Sequence, residues 1–308
     1  RHNIHLVKCP VRHMGTEYSF ETLRNMYRYL IEQPGFTFRE LTRAQSLHIE
    51  NGRVTGVVLC TKGQEPESVE AGYVVAAPGR GGADWLNHVA HDNGIDTKNN
   101  EVDIGVRVDS VMDHLTAHLY EAKMVYYSDT FENKVRTFCM NPGGIVSEEH
   151  YQGGIAVVNG HSYAEEERRT ANTNFAMLVS SRFTEPFNRP IEYGRYIAQL
   201  GNMLTGGGIM VQRLGDLLQG RRTDASRLSR STTVPTLKTA VPGDLSFVLP
   251  HRHLTSLIEA MKAFDKVAPG LYSKNTLLYG VEVKFYSSKV AVDNHFETAV
   301  DGLYAIGD

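Results

Sequence analysis

A chain of 308 residues with 41% hydrophobic content can bury a substantial core, spread over roughly one to three domains. Its formal net charge of −3, with acidic and basic residues interspersed, excludes the strong field that draws a protein to nucleic acid or anionic lipid, and no run of about eighteen apolar residues marks a membrane span. Cys9, Cys60 and Cys139 are odd in number and far apart, which argues against a disulfide scaffold or a structural zinc, so reduced thiols, a cytoplasmic setting and a small-molecule partner are expected.

Phe20, Leu23, Tyr27, Leu30 and Ile31 recur at three-and-four spacing and predict a helix over Ser19 to Gln33, N-capped by Ser19 and stopped by Pro34-Gly35. Strands are predicted at Phe36 to Phe38, Ala44 to Ile49 and Val54 to Leu59, the last two joined by an Asn51-Gly52 hairpin turn. A short strand at Ser68 to Ala71 returns beside them. Tyr73 to Ala77 is a continuous apolar run ending in Pro78-Gly79, the pattern of a strand buried on both faces. From about Asn100 the pattern changes. Val102 to Val108, Val135 to Met140, Gly154 to Val158 and Phe175 to Ser180 read as strands without regular helices between them, hence a mostly antiparallel second domain. Helices are expected at Ile191 to Met203, Gln212 to Gln219 and Leu254 to Val267, with an aperiodic Ser/Thr/Arg/Pro-rich excursion from Thr223 to Asp244. Strands return at Leu278 to Val283 and Leu303 to Ile306. The chain opens without methionine and closes on an apolar strand entering a polar turn, Gly302 to Asp308, which leads us to expect a polypeptide cut at both ends.

Glycine clusters and histidines give little chemistry by themselves. Gly79-Arg80-Gly81-Gly82 and Gly206-Gly207-Gly208 lack the strand–turn–helix context and following residues of a phosphate loop, and read as turns. His251-Arg252-His253, with His161 or His114, lacks the spacing and the third ligand of a metal site, so no metal is expected. Arg221, Arg222, Arg227 and Arg230 form a basic stretch that reads either as a solvated loop face or as a contact for a phosphorylated or carboxylated substrate.

The order of the motifs carries more information than any one of them. A helix plus meander containing Glu50-Asn51-Gly52-Arg53-Val54 is followed by the strand ending Ala77-Pro78-Gly79. Ile104-Gly105-Val106-Arg107-Val108, Thr137 to Gly144 (TFCMNPGG), Asn159-Gly160-His161-Ser162-Tyr163, Gln212-Arg213-Leu214-Gly215-Asp216 and Gly280-Val281-Glu282 come next, and the chain closes on Gly307-Asp308. Over nearly its whole length the chain resembles the FAD-dependent dehydrogenases of glutathione-reductase-like FAD fold, in particular a large bacterial branch of them.

That resemblance implies an α/β protein: a partial FAD/NAD(P)-binding Rossmann-like domain, without its N-terminal GxGxxG unit, carrying an inserted, mostly antiparallel α+β substrate domain. The implied division is 1–99 for the FAD-binding part, 100–277 for the substrate domain and 278–308 for the return to the FAD-binding part. By the same resemblance Asp308 approaches the ribityl-pyrophosphate, Gly307 lets the backbone come close, and Ala77, Pro78 and Gly79 pass near the adenosine diphosphate, with proline where threonine is usual. Ala44 offers backbone groups to the adenine edge.

For the reaction itself the flavin transfers electrons and the protein orients, so no triad is required. Cys139, Asn141, Gly143 and Gly144 are candidates for a turn of exposed amides and a thiol beside the isoalloxazine, and Asn159, Ser162 and Tyr163 for contacts to substrate. The plainer alternatives are a packed core thiol at Cys139 and a simple hairpin turn at Gly143-Gly144. The implied activity is an FAD-dependent oxidoreductase acting on an organic small molecule, with NAD(P)H as a candidate electron donor, and with FAD held weakly by this fragment. A non-catalytic binding module and a flavoprotein acting on RNA are the alternatives.

Overall fold

A computed structural model describes residues 16–98, 101–111, 121–151, 153–163, 165–187, 189–285 and 289–307. The first helix, α1 (Thr16–Ile31), starts before Ser19, which therefore lies inside the helix and not at its cap. A three-stranded antiparallel meander follows, β1 (Thr42–Glu50), β2 (Arg53–Thr61) and β3 (Glu67–Glu70). Asn51 and Gly52, with φ of 51° and 76°, make the tight β1–β2 turn that the dipeptide favours. Phe36 to Phe38, expected as a strand, is irregular: no strand among the described residues pairs with it, and aromatic content alone does not make a strand.

The apolar run condenses to β4 (Val74–Ala76), followed by α2 (Ala83–Asp92). The expectation of two buried faces fails here, since Tyr73 and Val75 are 68% and 58% exposed while Ala76 is buried. β4 pairs in parallel with the last strand of the chain, which bears Leu303–Ala305 and is numbered below. Leu303, Tyr304 and Ala305 stand opposite Val74, Val75 and Ala76. The meander is a separate sheet joined to this pair through Asp301, whose N–H donates to Gly52 O and whose carbonyl accepts from Val54 N, both at 2.9 Å. Val54, Ala76, Leu86, Val89, Ala90, Leu303 and Ala305 close a small core between them.

Most of the rest of the chain builds a larger unit before the last two strands return to the first. After the short β5 (Thr97–Lys98) come β6 (Val102–Ser110), β7 (Val125–Tyr127), β8 (Lys134–Pro142), β9 (Ile145–Tyr151), β10 (Ile155–His161) and β11 (Thr173–Ser181). Then follow α3 (Pro190–Thr205), β12 (Met210–Arg213), the one-turn α4 (Leu214–Leu217), α5 (Ala225–Ser229), β13 (Val241–Pro242), α6 (His251–Phe264), β14 (Leu277–Lys284), β15 (Lys289–Val290) and β16 (Leu303–Ala305). The helix expected over Gln212 to Gln219 is thus a strand end plus a single turn. Arg213 N–H bonds Thr223 Oγ1 and Leu214 N–H bonds Thr276 O, which draws the segment onto the sheet edge.

Seven strands form one sheet in the order β13-β12-β14-β6-β11-β8-β7, antiparallel except for β12 beside β13. β6 is buried along its whole length. One face of the sheet, from Ile104, Val106, Val108, Phe175, Met177 and Val179, packs on α3 and α6 to make the main core. Gly194 and Gly201 let α3 lie close to that face, since a Cβ at either would press on Val283 or Val281. β14 sits between β12 and β6, so residues 277–284 belong to the large sheet and not to the returning FAD-side segment expected from 278. A short strand-like run reads the same whichever sheet takes it in. The chain rejoins the first unit at β15, which pairs with β5.

Candidate functional site

Two clusters of residues lie where chemistry is expected. The first is at the C-terminal ends of the parallel pair β4 and β16, the edge of an open parallel sheet where ligands characteristically bind. Ile306 N–H donates to Ala76 O at 3.0 Å, so Ala77, Pro78 and Gly79 leave one strand beside Gly307 leaving the other. Gly79 and Gly307 have φ of 59° and 130°, and a Cβ built on either would meet nothing within 4 Å. The backbone there is bare and open. Asp308 lies outside the described residues. Ala44 is in a different sheet, opposite Leu59 on the meander, beside a bulge, and Trp85 of α2 donates to the neighbouring Gln45 O.

Just beyond Gly79, Arg80 points across to the hairpin of β9 and β10. Its guanidinium reaches the Tyr151 hydroxyl, which donates to Glu149 Oε1 at 2.9 Å, and Glu149 Oε2 accepts from Asn159 Nδ2 at 2.8 Å. Burial, and then the Glu149 carboxylate, push the Tyr151 hydroxyl above its ordinary pKa, with Arg80 partly opposing them. A polar chain therefore connects the strand-exit loop to Asn159, a residue singled out as a substrate contact.

The second cluster is a buried network on the face of the large sheet. Arg107 is fully buried and makes a two-pronged pair with Glu282, Nε to Oε2 at 2.8 Å and Nη2 to Oε1 at 3.1 Å. Its Nη1 donates to Asn174 Oδ1 at 2.8 Å and to Cys139 O at 3.2 Å, while Asn141 Nδ2 donates to the same two acceptors. Lys284 Nζ adds a second cation, 2.9 Å from Glu282 Oε1. Burial alone would raise the Glu282 carboxyl, but Arg107 and Lys284 outweigh it and hold it below the usual carboxylate range. A pair this deep contributes little net stability, because desolvation offsets the attraction, yet losing one partner leaves a costly lone charge.

Cys139 lies in a bulge of β8 between Phe138, opposite Ala176, and Asn141, opposite Asn174; its φ is 50° and its carbonyl is turned into the network. Gly160 lies directly over the network: a Cβ there would collide with Arg107, Asn141 and Asn174. The structure thus gathers Cys139 and Asn141 of the sequence-derived candidates and adds Arg107, Asn174, Glu282 and Lys284. The signal available for these was a run of charged residues at alternate positions inside otherwise apolar strands, Asp103, Arg107 and Asp109 on β6 and Glu282 and Lys284 on β14.

The other candidates fall differently. Gly143 and Gly144 form the tight β8–β9 turn. The Gly144 amide, expected to be exposed, donates to Asn141 O at 3.2 Å, and both carbonyls accept from Thr170, so the turn is closed by the 165–170 segment. Ser162 is buried. Tyr163 packs against His161 at 4.9 Å between ring centroids, and Arg168 lies 4.1 Å over its ring. Among the described residues no group of His, Cys, Asp or Glu is placed to hold a metal, and no helix is long and apolar enough to cross a membrane.

Residues 101–285 match the model of a family described as FAD-dependent protein, C-terminal domain-like, and residues 5–110 match an FAD binding domain. An uncharacterized protein of Clostridium beijerinckii is 24% identical over 318 aligned positions, which take in 96% of this chain and 57% of that protein. The chain therefore spans little more than half the length of that relative. Among solved structures, a glycerol-3-phosphate dehydrogenase from Bacillus halodurans complexed with FAD covers 53% of this chain and 26% of its own, at 14% identity and a TM-score of 0.22, a likeness too loose to inform the fold. By the match that takes in the whole seven-stranded sheet, the chain belongs to the family of FAD-dependent proteins defined by this C-terminal domain.

Proposed function

We propose that the protein to which this chain belongs is an FAD-dependent oxidoreductase acting on an organic small molecule. The observation that carries the reading is the parallel β4/β16 pair with two glycines in the left-handed region at its C-terminal ends. A dinucleotide needs close backbone approach, and Gly79 and Gly307 leave the space in which a side chain would stand. Bound FAD would supply the electron-transfer chemistry. The chain's own part is to hold and orient. Ala77, Pro78, Gly79 and Gly307 would line the dinucleotide, Arg80 with Tyr151, Glu149 and Asn159 would tie that loop to the substrate side, and the Arg107 network would fix the β8 bulge and the hairpin over it.

The test is flavin content of the full-length protein, read from its absorbance spectrum, followed by reduction with NADH or NADPH. We expect stoichiometric flavin, and about a tenfold loss of FAD affinity in Gly307→Val, since a branched side chain both fills the cradle and strains at this φ. Full-length protein that neither carries nor takes up flavin would defeat the reading. Flavin that no donor reduces would favour the non-catalytic module.

A further inference from the structure

The edge of the large sheet opposite β7 carries an arrangement that the flavin reading does not use. Asp216 of α4 is fully buried. Arg221 Nε donates to it at 2.9 Å and Thr223 Oγ1 at 2.8 Å, while Arg213 Nη1 and Arg227 Nε stand 3.7 and 3.9 Å away. Arg227 Nη1 also donates to Arg222 O at 2.8 Å and lies 3.3 Å from Asp224. Arg230 Nε donates to Ser226 O at 3.1 Å, and its charge acts on Asp224. Arg222 Nη2 donates to Pro242 O at 3.2 Å.

Five arginines, Arg213, Arg221, Arg222, Arg227 and Arg230, therefore crowd round fewer carboxylates, and Asp244, the next nearest along the chain, is turned to Gln212 Nε2 and Ser246 N. The manner of anchoring matters as much as the count. Arg221 and Arg230 are each pinned through Nε. Among the described residues their Nη pairs have no partner, and both side chains remain exposed. Arg213 Nε is buried without an acceptor.

A guanidinium fixed through Nε presents a planar edge of two donors, the shape that matches phosphate oxygens, and fixing it in advance lowers the entropy lost on binding. Three of the arginines, Arg213, Arg221 and Arg227, gather on Asp216 while Arg230 acts on Asp224, and the chain as a whole is acidic, so the surface suits a compact anion better than a nucleic acid.

We propose that this cluster is a binding site for a compact phosphate-bearing ligand, engaged by the free edges of Arg221, held by Asp216, and of Arg230, held by the Ser226 carbonyl. Calorimetric titration of the full-length protein with inorganic pyrophosphate at low ionic strength tests it. We expect saturable binding that weakens as salt is added, and a loss of roughly tenfold or more in Arg221→Ala/Arg230→Ala, since charge-assisted hydrogen bonds to the anion are lost. Arg221→Lys/Arg230→Lys should fall between the two, keeping charge but losing the edge. Unchanged flavin content in these variants separates the site from the cofactor cradle. Arg230→Ala alone, which gives up a single bond to a backbone carbonyl, serves if the double variant does not fold. Absence of saturable binding, equal affinity in wild type and variants, or tighter binding of an RNA oligonucleotide than of pyrophosphate would overturn the proposal.

Discussion

Asp109 and His253 are buried titratable groups whose environments act in opposite directions on stability. Burial pushes the Asp109 carboxyl up to about 6, against hydrogen bonds from Thr236 and Asn172, and among the described residues its Oδ1 has no hydrogen-bond partner. Burial, helped by Arg252, depresses His253 to about 4, with Ser181 Oγ 3.0 Å from Nε2. The folded protein therefore binds a proton at Asp109 more readily than the unfolded chain, so this group stabilises increasingly as pH falls from about 6 to about 4. His253 does the reverse: its contribution is full above about 6.5 and is lost as pH drops through 4. The two windows overlap and largely cancel in the wild type. Asp109→Asn removes one side of the balance. Denaturant unfolding across pH 4 to 7 should show the stability of wild type relative to Asp109→Asn rising toward acid, by up to about 2 kcal/mol. A difference that stays flat across that range would mean that Asp109 is not buried as a charge.

At the level of elements, the β9–β10 hairpin is held less by its own register than by how closely its backbone approaches the large sheet. Gly160 rests on Arg107, Asn141 and Asn174, and Val146 N–H of β9 donates to Thr236 Oγ1 at 3.0 Å, which in turn donates to Asp109. Gly160→Ala would have to displace a fully buried guanidinium or lift the hairpin, and should cost about 2–3 kcal/mol in a denaturation experiment, in the range of an overpacked core plus a disrupted buried hydrogen bond. An equally stable variant would show that the hairpin moves freely.

Much of this element structure was legible in the sequence. Asn51-Gly52 sets its own turn, the apolar spacing of α3 marks its buried stripe, and the apolar runs of β6 and β11 read as strands because local chemistry decides them. β9 was not legible, because Ser147-Glu148-Glu149-His150 lacks alternation and is held as a strand by its pairing with β10. Nor was the burial network, whose Arg107 and Glu282 are 175 positions apart: sequence shows the charges but not their meeting. Gly79 and Gly307 were singled out through the family resemblance, while the partners of Arg80 became visible only when β9 was placed.

For the molecule as a whole, the decisive contrast is between two of the cores among the described residues. The main core is built from residues between Val102 and Phe285 and buries one face of β6, whose other face carries the Arg107 network, whereas the smaller one joins residues near Val54 and Ala90 to Val290 and Leu303 from the far end of the chain. The smaller core closes a long loop and leaves Tyr73, Val75 and Ile306 exposed beside its parallel pair. A parallel pair with one apolar face open to water is weakly held, since parallel sheets owe their stability to cover on both sides. Hydrogen exchange on the 308-residue chain should therefore show the amides of β4 and β16 opening at a lower free energy than those of Ile104 to Val108 and Phe175 to Val179, which exchange only on global unfolding. The flavin reading adds a second expectation for the full-length protein: a ligand that binds only the closed form protects what closes it, so FAD should slow exchange at Ala76 and Ala305 far more than in the centre of the large sheet. Exchange at one common free energy, with or without FAD, would show that the two cores fold as a single unit and that the cradle is as rigid as the sheet it adjoins.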